Sequence, residues 1–226
     1  MQHPFWKRWL SHFKELSLEQ TSSYYNPYLE VLLVEGRHQL VTEDAIYSFD
    51  DKYINFDQTF KKLNWLKFSN KRVLVLGLGL GSVILLLEKK YDQQMDYTAI
   101  EVDPEICRLC SKYTLDTIDS FVEVIPSEAM EFLSTDAEQY DLIIMDIFQS
   151  GDIPLKFQSE SFITLLKGHL KADGLLLYNR LNITKEHKQE NVTFSPIMEA
   201  AFPDMTTLEI KDNLMIVSDK DFLKTS

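Results

Sequence analysis

Residues 73–82 read VLVLGLGLGS, and the order of residue types in them decides the fold. Val73, Leu74, Val75 and Leu76 form an unbroken aliphatic run, the pattern of a strand buried on both faces inside a parallel sheet. The run ends in Gly77, Gly79 and Gly81, where a chain turns tightly and lets a ligand approach its backbone closely. SVILLLEKKY follows with the spacing of a helix. Strand, glycine turn and helix together open a doubly wound α/β domain.

The same alternation runs outward to the C-terminus. DYTAIEVD reads as a second strand and PEICRLCSKYTL as a helix started by Pro104. FVEVIP is a third strand, SEAMEFL a short helix and YDLIIMDIF a fourth strand. SESFITLLKGHL is predicted as a helix ended near KADG, LLLYNRL as a fifth strand and NVTFSPIMEAAF as the last helix. MTTLEI and NLMIVSD close the sheet as an antiparallel hairpin around Asp212 and Asn213. Right-handed crossovers make such a sheet mostly parallel and doubly wound.

Upstream the texture differs. YLEVLLV, RHQLV and AIYSF are short β-type runs broken at Glu35-Gly36 and at TED, as in hairpins. DDKYINFDQTFKKLNWL puts Tyr53, Phe56, Phe60 and Leu63 at helical spacing, with Asp50 or Asp51 placed to cap. PFWKRWLSHFKEL is amphipathic and suits a membrane surface or a partner, but covering the protein's own core is the expected role for so short a helix. Residues 1–68 are read as a small lobe of helix and β-hairpin, and residues 69–226 as the α/β domain.

The 226 residues, 45% of them hydrophobic, can bury one substantial core, and a charged fraction of 26% is ordinary for a folded chain. A formal net charge of −12 opposes nucleic-acid binding, which needs clustered Lys and Arg against phosphate. Cys107 and Cys110 have the spacing of a zinc or redox pair, but no second Cys or His pair stands at ligand spacing, so no metal is expected. Both fit a helix packed on the sheet. Low cysteine use, no apolar run of ~20 residues and no signal-type N-terminus lead to the expectation of a cytoplasmic protein with no membrane partner.

In such sheets ligands bind beyond the carboxyl ends of the strands, where strand order reverses. The glycine spacing is G-x-G-x-G, shorter than the G-x-G-x-x-G of dinucleotide folds, and suits a ribose with an amino-acid tail better than a pyrophosphate. Glu101 ends the second strand, where a carboxylate accepts two hydrogen bonds from ribose hydroxyls. Val102 offers an apolar face to adenine, and Asp103 is a second, weaker ribose candidate. Glu128, after the third strand, stands either to accept from an adenine amino group or to face the dipole of the following helix. Asp146 emerges from the apolar run Leu142–Met145 and is the candidate for positioning or deprotonating a nucleophile.

These stretches resemble the spermidine synthase-like branch of the class I S-adenosylmethionine-dependent transferase superfamily. VLVLGLGLGS is similar to its glycine loop, AIEVDPEI to its ribose strand, YDLIIMDIF to its catalytic strand and YLEVLLVEGRHQLVTEDAIYSF to its N-terminal hairpins. The resemblance implies a Rossmann-like domain whose donor is S-adenosylmethionine or its decarboxylated form. It implies that Gly77, Gly79 and Gly81 line the nucleoside's tail, Glu101 holds the ribose, Glu128 reads adenine and Asp146 is the general base. It puts Gln39 and Tyr47 where the N-terminal lobe closes the site. It also implies a small-molecule acceptor, and a homodimer is one expected state because the family often forms dimers.

Departures from the family pattern shape the expected chemistry. Leu80 stands where aminopropyltransferases carry the aspartate that holds the donor's amine. Gln149 stands where they carry a second aspartate, and Ser48 and Phe49 replace a polar residue and a glutamate after Tyr47. An aspartate at position 80 would repel the carboxylate of intact S-adenosylmethionine, and leucine removes that repulsion. Amides at the helix start near Ser82 then receive the carboxylate. Fewer acids also leave fewer partners for a substrate with several ammonium groups, with Asp152 as one replacement to consider. A methyltransferase acting on an unknown small molecule is therefore the first expectation. An aminopropyltransferase and a non-catalytic nucleoside-binding protein are the alternatives.

Overall fold

The computed structural model describes residues 3–43, 45–68, 72–149 and 151–224; the predicted lobe boundary, after residue 68, falls next to residues outside this set. Along the chain run α1 (Phe5–Leu10), β1 (Leu16–Thr21), β2 (Leu29–Val34), β3 (Arg37–Val41), β4 (Ile46–Phe49), α2 (Ile54–Lys62), β5 (Arg72–Leu76), α3 (Ser82–Lys89) and β6 (Asp96–Glu101). Then follow α4 (Pro104–Tyr113), β7 (Val122–Pro126), α5 (Ala129–Thr135), β8 (Tyr140–Met145), α6 (Glu160–His169), β9 (Leu170–Leu181), α7 (Lys185–Ala201), β10 (Thr206–Ile210) and β11 (Asn213–Val217).

β1 to β4 form an antiparallel sheet in sequence order, and the other strands form a seven-stranded sheet in the order β10-β11-β9-β8-β5-β6-β7. Strands β5 to β9 pair in parallel, and β11 and β10 close the sheet antiparallel. The fold is thus a doubly wound α/β sheet with an antiparallel closing hairpin. The order reverses beside β5, which lies between β6 and β8, and that places the ligand crevice at its carboxyl end.

The apolar run in β5 explains this position. Val73 and Val75 point into a core layer with Phe56 and Phe60 of α2 and Leu87 of α3. Leu74 and Leu76 point into the other layer, with Leu133 of α5, Leu166 of α6 and Met198 of α7. Both faces are covered, so no alternation of polar residues survives. A third apolar cluster joins the four-stranded sheet to α4 through Leu29, Val31, Leu40, Leu80, Ile106 and Leu109.

Several local expectations are corrected. LSLEQT forms β1, which the sequence did not signal because its strand is only partly buried. Neither Asp50 nor Asp51 caps α2: the Asp50 carboxylate accepts from His38 N at 2.7 Å, Asp51 pairs with Arg37, and Tyr53 sits at the N-cap position. The helix before KADG ends beside it, at His169, as expected, but KADG itself is strand. It lies inside β9, where the β8–β9 register shifts between Tyr140 and Leu142. A Cβ on Gly174 would stand 3.0 Å from the Tyr140 carbonyl oxygen, so this glycine serves strand packing. α7 starts at Lys185, earlier than NVTF, through a capping box between Thr184 and His187. The β10–β11 turn is Lys211-Asp212, because Ile210 pairs with Asn213. α1 covers no core, for it has no buried residue. Among the described residues no helix is long and apolar enough to cross a membrane.

Candidate active site

The carboxyl ends of β5, β6, β8 and β9 open into a cavity of about 1090 Å³, roofed by β4 and the segment leading into α2. That is ample for a nucleoside and a second reactant. Its floor depends on Gly77, whose φ is +90°. A Cβ there would lie 2.4 Å from the Asp146 carbonyl oxygen, so only glycine lets the end of β5 pass the end of β8. Gly79 also lines the cavity. Gly81 does not: it faces α4, where a Cβ would meet Cys110 Sγ at 3.2 Å.

Glu101 leaves β6 and turns its carboxylate onto the glycine loop. One oxygen accepts from Leu78 N at 3.2 Å and Gly79 N at 3.4 Å, the other from Asp103 N at 3.1 Å. Burial pushes its carboxyl above the usual carboxylate range, while these amides favour the ionised form. Val102 lies beside it on the cavity wall. Asp103 is not a ribose ligand. It is fully buried outside the cavity, where one oxygen caps α4 through Glu105 N at 2.9 Å and the other accepts from Ser23 Oγ and from Asn26 Nδ2 at 2.7 Å. Its work is to fasten the connection between β1 and β2 to the start of α4.

Glu128 lines the cavity and is also the N-cap of α5, accepting from Glu131 N at 3.1 Å. Its other oxygen is 3.1 Å from Lys156 Nζ. The helix-end reading therefore describes its present contacts, and its place on the wall keeps the adenine reading open to test.

Asp146 stands at the end of β8 with each oxygen engaged once. Oδ2 accepts from the Tyr53 hydroxyl at 2.8 Å and Oδ1 from Asn179 Nδ2 at 2.8 Å. Asn213 Nδ2 in turn donates to Asn179 Oδ1 at 3.0 Å, which fixes the amide's orientation. Burial raises the Asp146 carboxyl to about 7, against the pull of its two donors. Sequence reasoning missed both donors. Tyr53 looked like one apolar position of a helix. Asn179 carried a usable signal, a lone amide within the apolar strand LLLYNRL.

Tyr47, Ser48, Phe49 and Gln149 all line the cavity. Gln149 is held by two backbone hydrogen bonds with Asp152, at 2.8 and 3.0 Å. Asp152 itself does not reach the cavity; its carboxylate meets His187 Nε2 at 3.2 Å. Gln39 is buried in β3 and does not line the cavity, so the closing role implied for it is not seen. Leu80 also faces away, fully buried among Leu29, Val31, Leu40, Ile106 and Leu109. Cys110 is core, and burial pushes the Cys107 thiol up to about 12, which makes it inert as a thiolate.

Comparison with known proteins places this geometry. The spermine/spermidine synthase domain model matches residues 63–210. The chain is 28% identical over 135 residues to a probable polyamine aminopropyl transferase of Bifidobacterium longum (strain NCC 2705), covering 60% of this chain and 30% of that protein. It is 28% identical over 153 residues to a polyamine aminopropyltransferase of Vibrio vulnificus (strain CMCP6), covering 65% of this chain and 50% of that protein. The chain thus matches half or less of the length of these curated relatives. The crystal structure of spermidine synthase from Thermotoga maritima shares the fold, with a TM-score of 0.67, 15% identity, and coverage of 89% of this chain and 71% of that one. The matched span contains the glycine loop, Glu101, Glu128 and Asp146, and the chain belongs to the spermine/spermidine synthase family of transferases.

Proposed function

We propose that the protein transfers an aminopropyl group from decarboxylated S-adenosylmethionine to an amine. The observation that carries this reading is Asp146, a buried carboxylate raised to about 7 on the same cavity as Glu101. A base with that pKa is near the optimum for proton transfer at neutral pH. The residues present fit the donor: Gly77 and Gly79 line the cavity with backbone alone, and Glu101, which accepts from three amides, keeps about one further acceptor site for a ribose hydroxyl. When bound, the donor supplies an electrophilic carbon beside its sulfonium. The protein then has to present the acceptor nitrogen with its lone pair free. Tyr53 and Asn179 each hold one oxygen of Asp146, so the carboxylate keeps one orientation and has capacity to accept the ammonium proton. The naming of relatives as aminopropyl transferases supports the same reading.

Leu80 bears on the choice of donor differently from the sequence expectation. Its side chain is in the core, so charge at position 80 favours neither the intact nor the decarboxylated donor. Methyl transfer thereby loses its electrostatic basis and becomes the second reading. Lys52 also lines the cavity beside Phe49, but its ammonium is paired with Glu35 and so is not free for the carboxylate of intact S-adenosylmethionine.

Mass spectrometry of the nucleoside product separates the two. With each donor and a diamine, methylthioadenosine is expected from the decarboxylated donor. S-adenosylhomocysteine from the intact donor would establish methyl transfer instead, and no product from either donor with any amine would refute the enzymatic reading. For the ribose contact, Glu101→Ala is expected to weaken nucleoside binding by about 1.5–3 kcal/mol, the value of a charged hydrogen bond. Calorimetric titration reads this directly, and unchanged affinity removes Glu101 from the site.

A further inference from the structure

We infer that α1 and the turn after it form a docking face for an anionic lipid surface. At 100° per residue, Phe5, Trp6, Trp9, Leu10 and, with the turn continued, Phe13 fall within an arc of about 140°. An ordinary surface helix turns such a stripe inward. Here it points to solvent: Phe5 is 84% exposed, Trp6 60%, Trp9 57% and Phe13 73%. The polar side is the one bound to the protein. Ser11 is buried; its hydroxyl accepts from Gly36 N at 2.8 Å and its carbonyl accepts from Glu35 N at 2.9 Å. Arg8 and His12 lie towards the same β2–β3 turn, with Arg8 Nε 3.8 Å and His12 Nε2 3.9 Å from the place of a Gly36 Cβ. The helix is therefore mounted with its apolar side outward, and hydrogen bonds to the turn hold it so.

The chemistry of the face selects its occupant. Trp9 and Phe13 pack in a tilted arrangement, 4.9 Å between ring centres and 53° between planes, and continue the aromatic stripe. Residues 5–14 carry Lys7, Arg8 and Lys14 and no acid, in a chain of net charge −12. Aromatic rings beside cations match the headgroup layer of an anionic bilayer, where tryptophan is favoured and each Lys or Arg adds attraction. The segment is too short to span a bilayer, so it would lie in the interface. A second copy of the chain is the poorer occupant, because the same segment of each copy would set its Lys7, Arg8 and Lys14 against those of the other, whereas an anionic headgroup layer pairs with them.

Flotation of the full chain with phosphatidylcholine vesicles, with and without phosphatidylglycerol, tests this. Binding is expected to the anionic vesicles at low salt, weakening as salt is raised. Lys7→Gln with Lys14→Gln is expected to lower the partition coefficient roughly 30-fold, from about 1 kcal/mol per cation. Trp6→Ser with Trp9→Ser is expected to abolish binding. All these side chains lie outside the core, so the unfolding midpoint should stay at the wild-type value and report that the variants are folded. Absence of binding at low salt, equal binding to neutral and anionic vesicles, or binding retained by the double tryptophan variant would overturn the inference. So would a dimer of the wild-type chain that the tryptophan variant dissolves, since a second copy would then cover the face.

Discussion

Asp146→Asn is expected to lower turnover by about 10²–10⁴-fold, the range for loss of a positioned general base, while donor affinity stays close to wild type. The amide keeps the shape of the carboxylate between Tyr53 and Asn179 but has no capacity to take a proton. Single-turnover rates and calorimetric titration on one preparation separate the two quantities. Equal loss of rate and binding would reassign Asp146 to donor binding. The pH dependence follows from the raised carboxyl. Only the ionised form is a base, so the wild-type rate should climb with pH through a limb near 7, and the Asn variant should lack that limb. Stability runs the other way. A carboxyl whose folded pKa lies above its unfolded value binds more protons in the native state. Its contribution therefore favours folding at low pH and is lost as pH rises from the ordinary carboxylate range through about 7.

Leu80→Asp is expected to unfold the protein or leave it insoluble. Withdrawing a fully buried leucine forfeits roughly 1.5–3 kcal/mol of transfer free energy. An aspartate there would lie in an apolar cluster with Leu29, Val31, Leu40, Ile106 and Leu109, and an uncompensated buried charge costs a further 3–5 kcal/mol, roughly the order of magnitude known for broken buried pairs. The sum rivals the whole stability of a typical domain, about 5–15 kcal/mol. Leu80→Ala, at about 2–5 kcal/mol, should remain folded and measurable by urea denaturation. A soluble Leu80→Asp protein with wild-type stability and a switched donor preference would show that residue 80 faces the donor, contrary to the structure.

The same residue marks what sequence reading could reach. The β5 run, the glycine turn and the carboxylates at strand ends were legible because each rests on a local rule: alternation of side chains, the turn a glycine permits, and the side of the sheet on which strands end. Glu101 and Asp146 line the cavity for that reason. Leu80 was not legible. Gly77, Gly79 and Gly81 all adopt positive φ, and these turns, invisible to motif spacing, send the intervening side chain into the core. Asp103 failed as a ribose candidate because its partners Ser23 and Asn26 lie between β1 and β2, about 80 residues away in sequence. Tyr53 was hidden for a similar reason, since its hydroxyl meets a carboxylate 93 positions later. α1 misled through its amphipathicity, which fixes that a helix has an apolar side but leaves open whether this side faces inward.

The most direct test of the central claim, that the cavity is the site of an S-adenosyl donor, is thermal unfolding with decarboxylated S-adenosylmethionine, S-adenosylmethionine and methylthioadenosine, each in large excess. Ligand at a hundredfold over its dissociation constant stabilises the native state by about 2.7 kcal/mol, readily seen as a rise in midpoint. A rise is expected with these nucleosides, largest with the decarboxylated donor and much reduced in Glu101→Ala. No rise with any of the three would contradict a nucleoside site at the carboxyl end of β5.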